Sequence, residues 1–284
     1  MVIIKEYVYR KHLRQPIKFL LLIMVLFTSM ILEIGIITWL RAEGGEERGF
    51  ILVIFLIIAL VLFIILGFEF LLLYFFMFRK FKNVNVLLND DGIIYNNIKG
   101  TQFITYESIQ AIQFPSVKYF GGWIKIKSNG KTIRLTVVLE KIGEFVKELK
   151  GKIDERGINN IYSDKKAYNF CKTAIYSDHS WERVYEKIKK LSIIYFICMI
   201  LAVVYSGFIN TDGQLLLYTL VIMLYPFIGF IVAEIILGKK LSNKIKQEGH
   251  LIYERDSQRE NIIYRNVFVA VGILTVLFLL ISIL

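Results

Sequence analysis

Five long runs of apolar residues constrain this chain more than any other feature of its sequence. They cover Phe19–Leu40, Phe50–Phe78, Leu191–Ile209, Leu215–Leu237 and Val267–Leu284. Because an α-helix rises about 1.5 Å per residue, about 20 apolar residues cross a hydrocarbon core of about 30 Å. The sequence therefore predicts five membrane-spanning helices. The hydrophobic share of 56% agrees, because soluble domains are about 45–50% apolar.

Basic residues beside the predicted spans indicate how the chain is oriented. They cluster at Arg79–Lys82 and Lys187–Lys190, whereas the loop 41–49 holds only Arg41 and Arg48. Because Lys and Arg near span ends favour the cytoplasmic side, we expect a cytoplasmic N-terminus and an external C-terminus in the bacterial inner membrane. The net charge of +11 is then a consequence of topology, and no nucleic-acid partner is expected.

The apolar runs divide the chain into four predicted parts. Residues 1–78 hold an N-terminal arm, either cytoplasmic or an interfacial helix, and spans one and two (19–40 and 50–78). Residues 79–156 form a soluble domain, and residues 157–190 form connecting or juxtamembrane helices. Residues 191–284 hold spans three to five (191–209, 215–237 and 267–284), with a cytoplasmic polar loop at 239–261.

The segment 178–190 has the pattern of an amphipathic helix that leads into the third span. Trp181, Val184, Tyr185 and Ile188 recur at helical spacing and predict one apolar face. Arg183 is expected on the polar face. Such a helix either lies in the membrane interface or packs on the soluble domain.

A β-hairpin at Trp123–Val138 is the clearest element of the soluble domain. Apolar and polar residues alternate on both sides of Asn129-Gly130, which tolerates the positive φ angles of a type I′ turn. With these two residues as the loop, the cross-strand pairs are Ile124 with Leu135, Lys125 with Arg134, Ile126 with Ile133 and Lys127 with Thr132.

Further strands precede the hairpin, and a helix follows it. The other predicted strands are Asn85–Leu88, Ile93–Asn97, Gln102–Tyr106 and Ile109–Val117, which with the hairpin make about six. After them an amphipathic helix is predicted from one apolar stripe, formed by Leu139, Ile142, Phe145, Val146, Leu149 and Ile153.

Three sequence stretches of this domain, 89–95, 104–109 and 121–126, resemble a known group. They read Asn-Asp-Asp-Gly-Ile-Ile-Tyr, Ile-Thr-Tyr-Glu-Ser-Ile and Gly-Gly-Trp-Ile-Lys-Ile. With the closing helix they are similar to the bacterial PH-like domains of multi-pass membrane proteins, including the YcxB-like group.

The resemblance implies an α-helical transmembrane bundle of five spans with an inserted cytoplasmic PH-like β-domain. It also implies an envelope-associated role without known catalysis. Some relatives are linked to tolerance of membrane-active peptides, but no residue motif carries that role here. The three spans after the domain depart from the family, whose members usually have one or two spans before it.

Four basic residues of the hairpin form a candidate binding patch: Lys125, Lys127, Lys131 and Arg134. Lys125 is predicted to stand opposite Arg134, and like charges directly opposed cost stability unless something offsets them. We hypothesise that the patch binds anionic lipid head groups or an acidic partner segment. The alternative is a solvated face that protects an exposed strand edge.

Three carboxylates lie inside predicted spans, where ionisable groups are costly and often functional. Glu69 and Glu234 fall toward the cytoplasmic side and are predicted at a similar depth, whereas Glu33 lies closer to the outer side. One hypothesis is a proton or cation site formed by Glu69 and Glu234. The alternative is that each lies near the inner interface and pairs with Arg79, Lys80, Lys239 or Lys240.

Catalytic and metal-binding signatures are missing from the sequence. The histidines at 12, 179 and 250 are far apart, Cys171 and Cys198 form no evident pair, and no nucleotide-binding or hydrolase motif is found. We therefore expect no enzyme activity and no cofactor. The favoured function is a membrane scaffold or accessory protein whose soluble domain binds a protein partner, a second copy or the anionic bilayer surface. The alternative is a small transporter or peptide-immunity factor that uses Glu69 and Glu234.

Overall fold

The computed structural model describes residues 5–117, 121–208 and 212–281. These residues divide into two compact units. The described residues of the first, here the β unit, lie within Met1–Lys18, Leu72–Glu182 and Ile245–Arg255. Those of the second, here the helical unit, lie within Phe19–Leu71, Arg183–Lys244 and Asp256–Leu284.

Helices make up most of the chain. In order, they are α1 (Lys11–Arg14), α2 (Ile17–Arg41), α3 (Gly45–Lys82), α4 (Ile142–Asp154), α5 (Asp164–Ser206), α6 (Asp212–Glu248) and α7 (Ser257–Ile281). Among the described residues, α2, α3, α5, α6 and α7 are long and apolar enough to cross a membrane. The prediction of five apolar helices combined with a small β-domain is confirmed at this level.

The strands form two antiparallel sheets within the β unit. They are β1 (Lys5–Val8), β2 (Asn85–Leu88), β3 (Gly92–Asn97), β4 (Gly100–Thr105), β5 (Ile109–Gln113), β6 (Ser116–Val117), β7 (Gly121–Ser128) and β8 (Lys131–Thr136). The first sheet has the order β1-β2-β3-β4. In the second, β7 pairs with β5, β6 and β8.

Two strand predictions need correction. Lys5–Val8 was expected in an arm or interfacial helix but is a strand that pairs with Asn85–Leu88. The predicted strand Ile109–Val117 is divided into β5 and β6, because Pro115 lacks a backbone N–H for the sheet.

The predicted hairpin is confirmed in its register and its turn. Lys125 pairs with Arg134 and Ile126 pairs with Ile133. Asn129 and Gly130 have φ angles of 36° and 77°, as a type I′ turn requires. Local residue choice therefore determines the register of this part of the sheet.

Helix α4 covers the core of the β unit. The predicted apolar stripe is buried, and Phe145, Leu149 and Ile153 have 0–1% exposure. Gly92 permits close packing of β3 on β4, because a Cβ built there would lie 2.2 Å from the carbonyl oxygen of Ile104. The sheets and α4 thus share a tightly packed apolar interior.

The helices that contain the third, fourth and fifth predicted spans extend into the segments predicted to connect them. Asp164–Ser206 is a single helix that includes residues 164–190 of the predicted connecting segment, because this stretch contains neither Gly nor Pro. The predicted polar loop 239–261 is mostly helical, and only residues 249–256 connect α6 to α7. Asp256 caps α7, since its Oδ1 accepts a hydrogen bond from the backbone N–H of Arg259 at 3.0 Å.

Strand pairing restricts how the chain can cross a bilayer. β1 is hydrogen-bonded to β2, although α2 and α3 separate them in sequence. Neighbouring strands of one sheet lie on one side of a membrane, so the chain between them crosses an even number of times. Likewise, Nε2 of His179 lies 2.9 Å from the carbonyl oxygen of Tyr253. β1 and residues 249–255 therefore belong to the same compact unit as the other strands.

Candidate functional site

An exposed face of the second sheet combines basic and apolar side chains. Trp123, Lys125 and Lys127 alternate along β7 and point to one face, which Arg134 joins as the direct partner of Lys125. Val117 joins the same face, because its partner is Gly121, two residues before Trp123. These five residues are called the basic face below. Trp123 is 42% exposed and Val117 is 65% exposed.

The structure separates Lys131 from the other predicted patch residues. Lys131 pairs with Ser128, and it shares its face of β8 with buried Ile133 and Leu135. Its side chain is exposed only because it lies at the end of the hairpin. Lys131 is thus placed apart from the basic face.

The cations of the basic face have no compensating partner within the described residues. Lys125, Lys127 and Arg134 make no hydrogen bond or ion pair there. Two partly exposed cations elsewhere in the β unit are paired instead: Lys152 contacts Asp90 at 2.7 Å, and Arg156 contacts Glu107 at 3.1 Å. The opposed positive charges of the basic face are therefore available to an external anion.

Edge protection does not account for two of these lysines. Lys125 and Lys127 lie on β7, which has β5 and β6 on one side and β8 on the other. Charged residues protect a sheet edge when they lie on an outer strand. Only Arg134 and Lys131, on β8, are consistent with that alternative.

The three glutamates predicted inside spans have three different environments. Glu69 is exposed on α3 and makes no hydrogen bond or ion pair with the described residues. Glu33 on α2 is 1% exposed, and both its carboxyl oxygens are buried without a hydrogen-bond partner in the described ranges. Glu234 on α6 is buried and bound by other side chains.

Glu234 belongs to a buried charged cluster of the helical unit. Arg183 donates from Nε and Nη2 to both carboxyl oxygens of Glu234, at 2.7 and 2.8 Å. Its Nη1 donates to Glu260 at 2.8 Å, and the hydroxyl of Tyr264 donates to Glu234. We call Arg183, Glu234, Glu260 and Tyr264 the Arg183 cluster. The guanidinium donors of Arg183 hold both carboxylates in one geometry, so we interpret the cluster as a structural element of the helical unit.

The Arg183 cluster differs from both sequence hypotheses for Glu234. Neither Glu69 nor a neighbouring lysine is its observed ionic partner. Arg183 was predicted on the polar face of an amphipathic segment, yet it is 2% exposed, whereas Tyr185, predicted on the apolar face, is 38% exposed. A periodicity based on hydrophobicity misses an arginine that is buried by pairing.

Contacts with the N-terminal strand add charged and aromatic groups to the β unit. Lys5 donates to Glu144 at 2.7 Å and to Glu148 at 2.8 Å, and these hydrogen bonds raise the pKa of Lys5. The ring of His12 stacks on Trp181 at 3.9 Å. Burial, and then the charge of Arg10, lower the pKa of His12 to about 4. These contacts tie the N-terminal segment to the rest of the unit.

No group of three or more His, Cys, Asp or Glu side chains within residues 5–117, 121–208 and 212–281 is arranged to hold a metal ion. Comparison with protein-family models, curated proteins and solved structures finds no match for this chain. The basic face and the buried glutamates are therefore interpreted from their own geometry and charge.

Proposed function

We propose that this protein is a multi-pass membrane protein whose β unit has a PH-like fold and binds the anionic phospholipid surface through its basic face. The protein acts as a membrane-anchored scaffold or accessory protein rather than as an enzyme. The observation that carries the proposal is the unpaired cluster of Lys125, Lys127 and Arg134 beside the exposed side chains of Trp123 and Val117.

The order of the elements supports the PH-like fold. A four-stranded antiparallel sheet is followed by a second antiparallel sheet and then by α4, which covers the apolar interior. A curved pair of sheets closed by one C-terminal helix is the PH architecture that the sequence resembles. In this fold the exposed face of the second sheet is free to carry a binding function.

The chemistry of the basic face matches an anionic bilayer surface. Tryptophan is favoured at the boundary between lipid head groups and acyl chains, because its ring is apolar and its N–H is polar. Each basic residue near an anionic leaflet contributes about 1 kcal/mol. Three such residues contribute about 3 kcal/mol, which corresponds to roughly a 100-fold change in the binding equilibrium. An acidic protein segment lacks the apolar phase that Trp123 and Val117 favour.

The cytoplasmic leaflet is the proposed binding surface. Basic residues cluster at Arg79–Lys82, directly before β2, and at Lys187–Lys190 in α5. Such flanks favour the cytoplasmic side, and the negative surface potential of that leaflet attracts cations. The proposed orientation of the chain and the proposed lipid binding by the basic face thus both rest on an excess of positive charge.

The position of Trp123 relative to lipid tests the proposal in the full-length protein. Trp39 and Trp181 are replaced by Phe, which leaves Trp123 as the only tryptophan. The protein is placed in nanodiscs that contain brominated phospholipid, which quenches tryptophan fluorescence on contact. We expect quenching of Trp123 in nanodiscs rich in phosphatidylglycerol, and much weaker quenching in phosphatidylcholine or at high salt, where screening weakens the attraction.

A matched pair of variants separates local from general charge effects. Replacement of Lys125, Lys127 and Arg134 by Gln should remove most of the quenching. The control variant replaces Lys99, Lys165 and Lys166 by Gln, at positions that are exposed elsewhere on the β unit. It removes the same amount of positive charge and should leave the quenching unchanged. Equal quenching in both lipids, or equal effects of both triple variants, would refute lipid binding by the basic face. If Trp123 is not quenched in either lipid and the basic face is protected from chemical labelling only at high protein concentration, the face binds a second copy of the protein instead.

A further inference from the structure

The carboxyl group of Glu33 has an environment that the proposed function does not use. It lies in α2 of the helical unit, is 1% exposed, and has two buried oxygens without a hydrogen-bond partner among the described residues. Buried polar side chains in folded proteins are nearly always hydrogen-bonded. An exception at a titratable group therefore requires a chemical reason.

The groups that face Glu33 carry no compensating positive charge. One face of α2 presents Leu26, Ser29 and Glu33 at helical spacing, and the hydroxyl of Tyr195 on α5 donates to the carbonyl oxygen of Leu26 at 2.9 Å. Tyr195 and Cys198 lie within electrostatic range of Glu33, and both are neutral groups. On the side of α3, Gly35 is packed against Phe55.

An unpaired carboxylate in such a place is unfavourable. Removing an ion from water without a counter-ion costs more than neutralising it, so isolated buried carboxyl groups hold a proton. Glu234 in the same unit shows the other solution, because Arg183 binds both its oxygens. The two glutamates therefore belong to different chemical classes, although both lie in apolar helices.

A cavity begins one helical turn beyond Glu33. It has a volume of about 450 Å³, and Ile37 and Thr38 of α2 contribute to its wall. Ile37 is four residues from Glu33 and lies on the same face of the helix. The rest of the wall is mostly apolar, but it also includes three polar side chains, Arg41, Glu47 and Thr219, and the buried hydroxyl of Thr219 has no partner among the described residues. A cavity with such groups has the size and the hydrogen-bonding capacity to hold water.

We propose that Glu33 is a proton-binding site of the helical unit and exchanges its proton with water in this cavity. In loading, a hydronium ion transfers one proton to a carboxylate oxygen and leaves a water molecule. In release, the carboxyl group returns the proton to water. The ligand is the proton, the site is the Glu33 carboxyl group, and Thr38 and Thr219 position the water that connects it to the end of the unit where α2 and α3 are joined.

Infrared spectroscopy of the full-length protein in lipid tests the site directly. A protonated carboxyl group has a carbonyl stretch that is separate from the bands of carboxylates and amides. We expect this band at neutral pH in the wild type and in Glu234→Gln, and we expect its loss in Glu33→Gln. Glu33→Asp should keep a shifted band, which identifies the group even if the glutamine variant folds poorly. A band that is missing from the wild type at neutral pH, or that persists in folded Glu33→Gln, overturns the proposal.

The access route has its own measurement. Transfer into heavy water shifts the band as the carboxyl proton is replaced by deuterium, so the rate of the shift reports the contact with water. Thr219→Leu fills the polar part of the cavity and should slow this exchange at least several-fold. Thr173→Leu, at a buried threonine of the β unit, serves as a control and should leave the rate unchanged. Equal exchange rates in Thr219→Leu and the wild type would refute the route through the cavity.

Discussion

Replacement of Arg183 by Met should destabilise the helical unit strongly. Arg183 is 2% exposed and makes three charge-assisted hydrogen bonds of 2.7–2.8 Å to Glu234 and Glu260. Met fills a similar volume, but it leaves two buried carboxylates without their cation. Removing one partner of a buried ion pair costs about 3–5 kcal/mol. For a unit of this size, that corresponds to a fall in Tm on the order of 10 °C.

The two free cysteines allow each unit to be followed separately. Cys198 lies in the helical unit at 6% exposure, and Cys171 lies in the β unit at 4% exposure. A thiol-reactive fluorophore labels a buried cysteine only after unfolding. In a Cys171→Ala background, heating therefore reports the helical unit alone, and in a Cys198→Ala background it reports the β unit alone. Arg183→Met should lower the transition at Cys198.

A compensating variant tests the physical reason for the loss. The triple variant Arg183→Met, Glu234→Gln and Glu260→Gln removes both uncompensated charges, and the amide at position 234 still accepts a hydrogen bond from Tyr264. We expect this variant to regain most of the lost stability, because apolar or neutral replacements of whole buried ion pairs are often nearly neutral. An unchanged transition in Arg183→Met, or a triple variant less stable than the single one, would refute the reasoning.

Three further predictions concern the β unit. Burial lowers the pKa of His12 to about 4 from an ordinary value of 6.5, so the unfolded chain binds a proton between these values and the folded unit does not. Stability should therefore fall by on the order of 3 kcal/mol as the pH decreases from 6.5 to 4, and His12→Phe should remove this dependence in thermal melts followed by circular dichroism. Gly92→Ala should destabilise the unit severely, since its Cβ would meet the carbonyl oxygen of Ile104. Gly130→Ala should cost only about 1 kcal/mol of turn strain in the same thermal melts, because no atom lies within 4 Å of its Cβ position.

The sequence predicts best what adjacent residues determine. The register around Asn129-Gly130 follows from a two-residue turn and strict alternation, and both are local properties. Strand β1 was missed because it has four residues and pairs with a partner beyond two apolar helices. No local pattern encodes such a pairing. The continuity of α5 was also missed, because connecting helices and a third span were predicted in its place. The absence of Gly and Pro from Asp164–Ser206 was a usable signal for one long helix.

Candidate site residues divide in the same way. The opposition of Lys125 and Arg134 was predictable because strand alternation fixes it once the turn is known. The Arg183–Glu234 pair was not predictable, because it joins residues on separate helices and depends on tertiary packing. Burial of a charged residue also contradicts the hydrophobic pattern on which a helix prediction relies. The charged residues inside the fold are therefore the ones that sequence patterns assign least well.

The β unit is formed by three separate segments of the chain, so its lipid binding has to be tested in the full-length protein. Tyr7 and Tyr9, in and beside β1, are 2% and 3% exposed, so they belong to the core of this unit. A fragment of residues 79–156 lacks β1 and leaves the outer edge of β2 unpaired and the apolar surface under these tyrosines open. Such a fragment would be prone to aggregate, and its lipid binding would reflect exposed core residues. Binding by the basic face is therefore meaningful only in the full chain, where the N-terminal strand is paired and the bilayer is present.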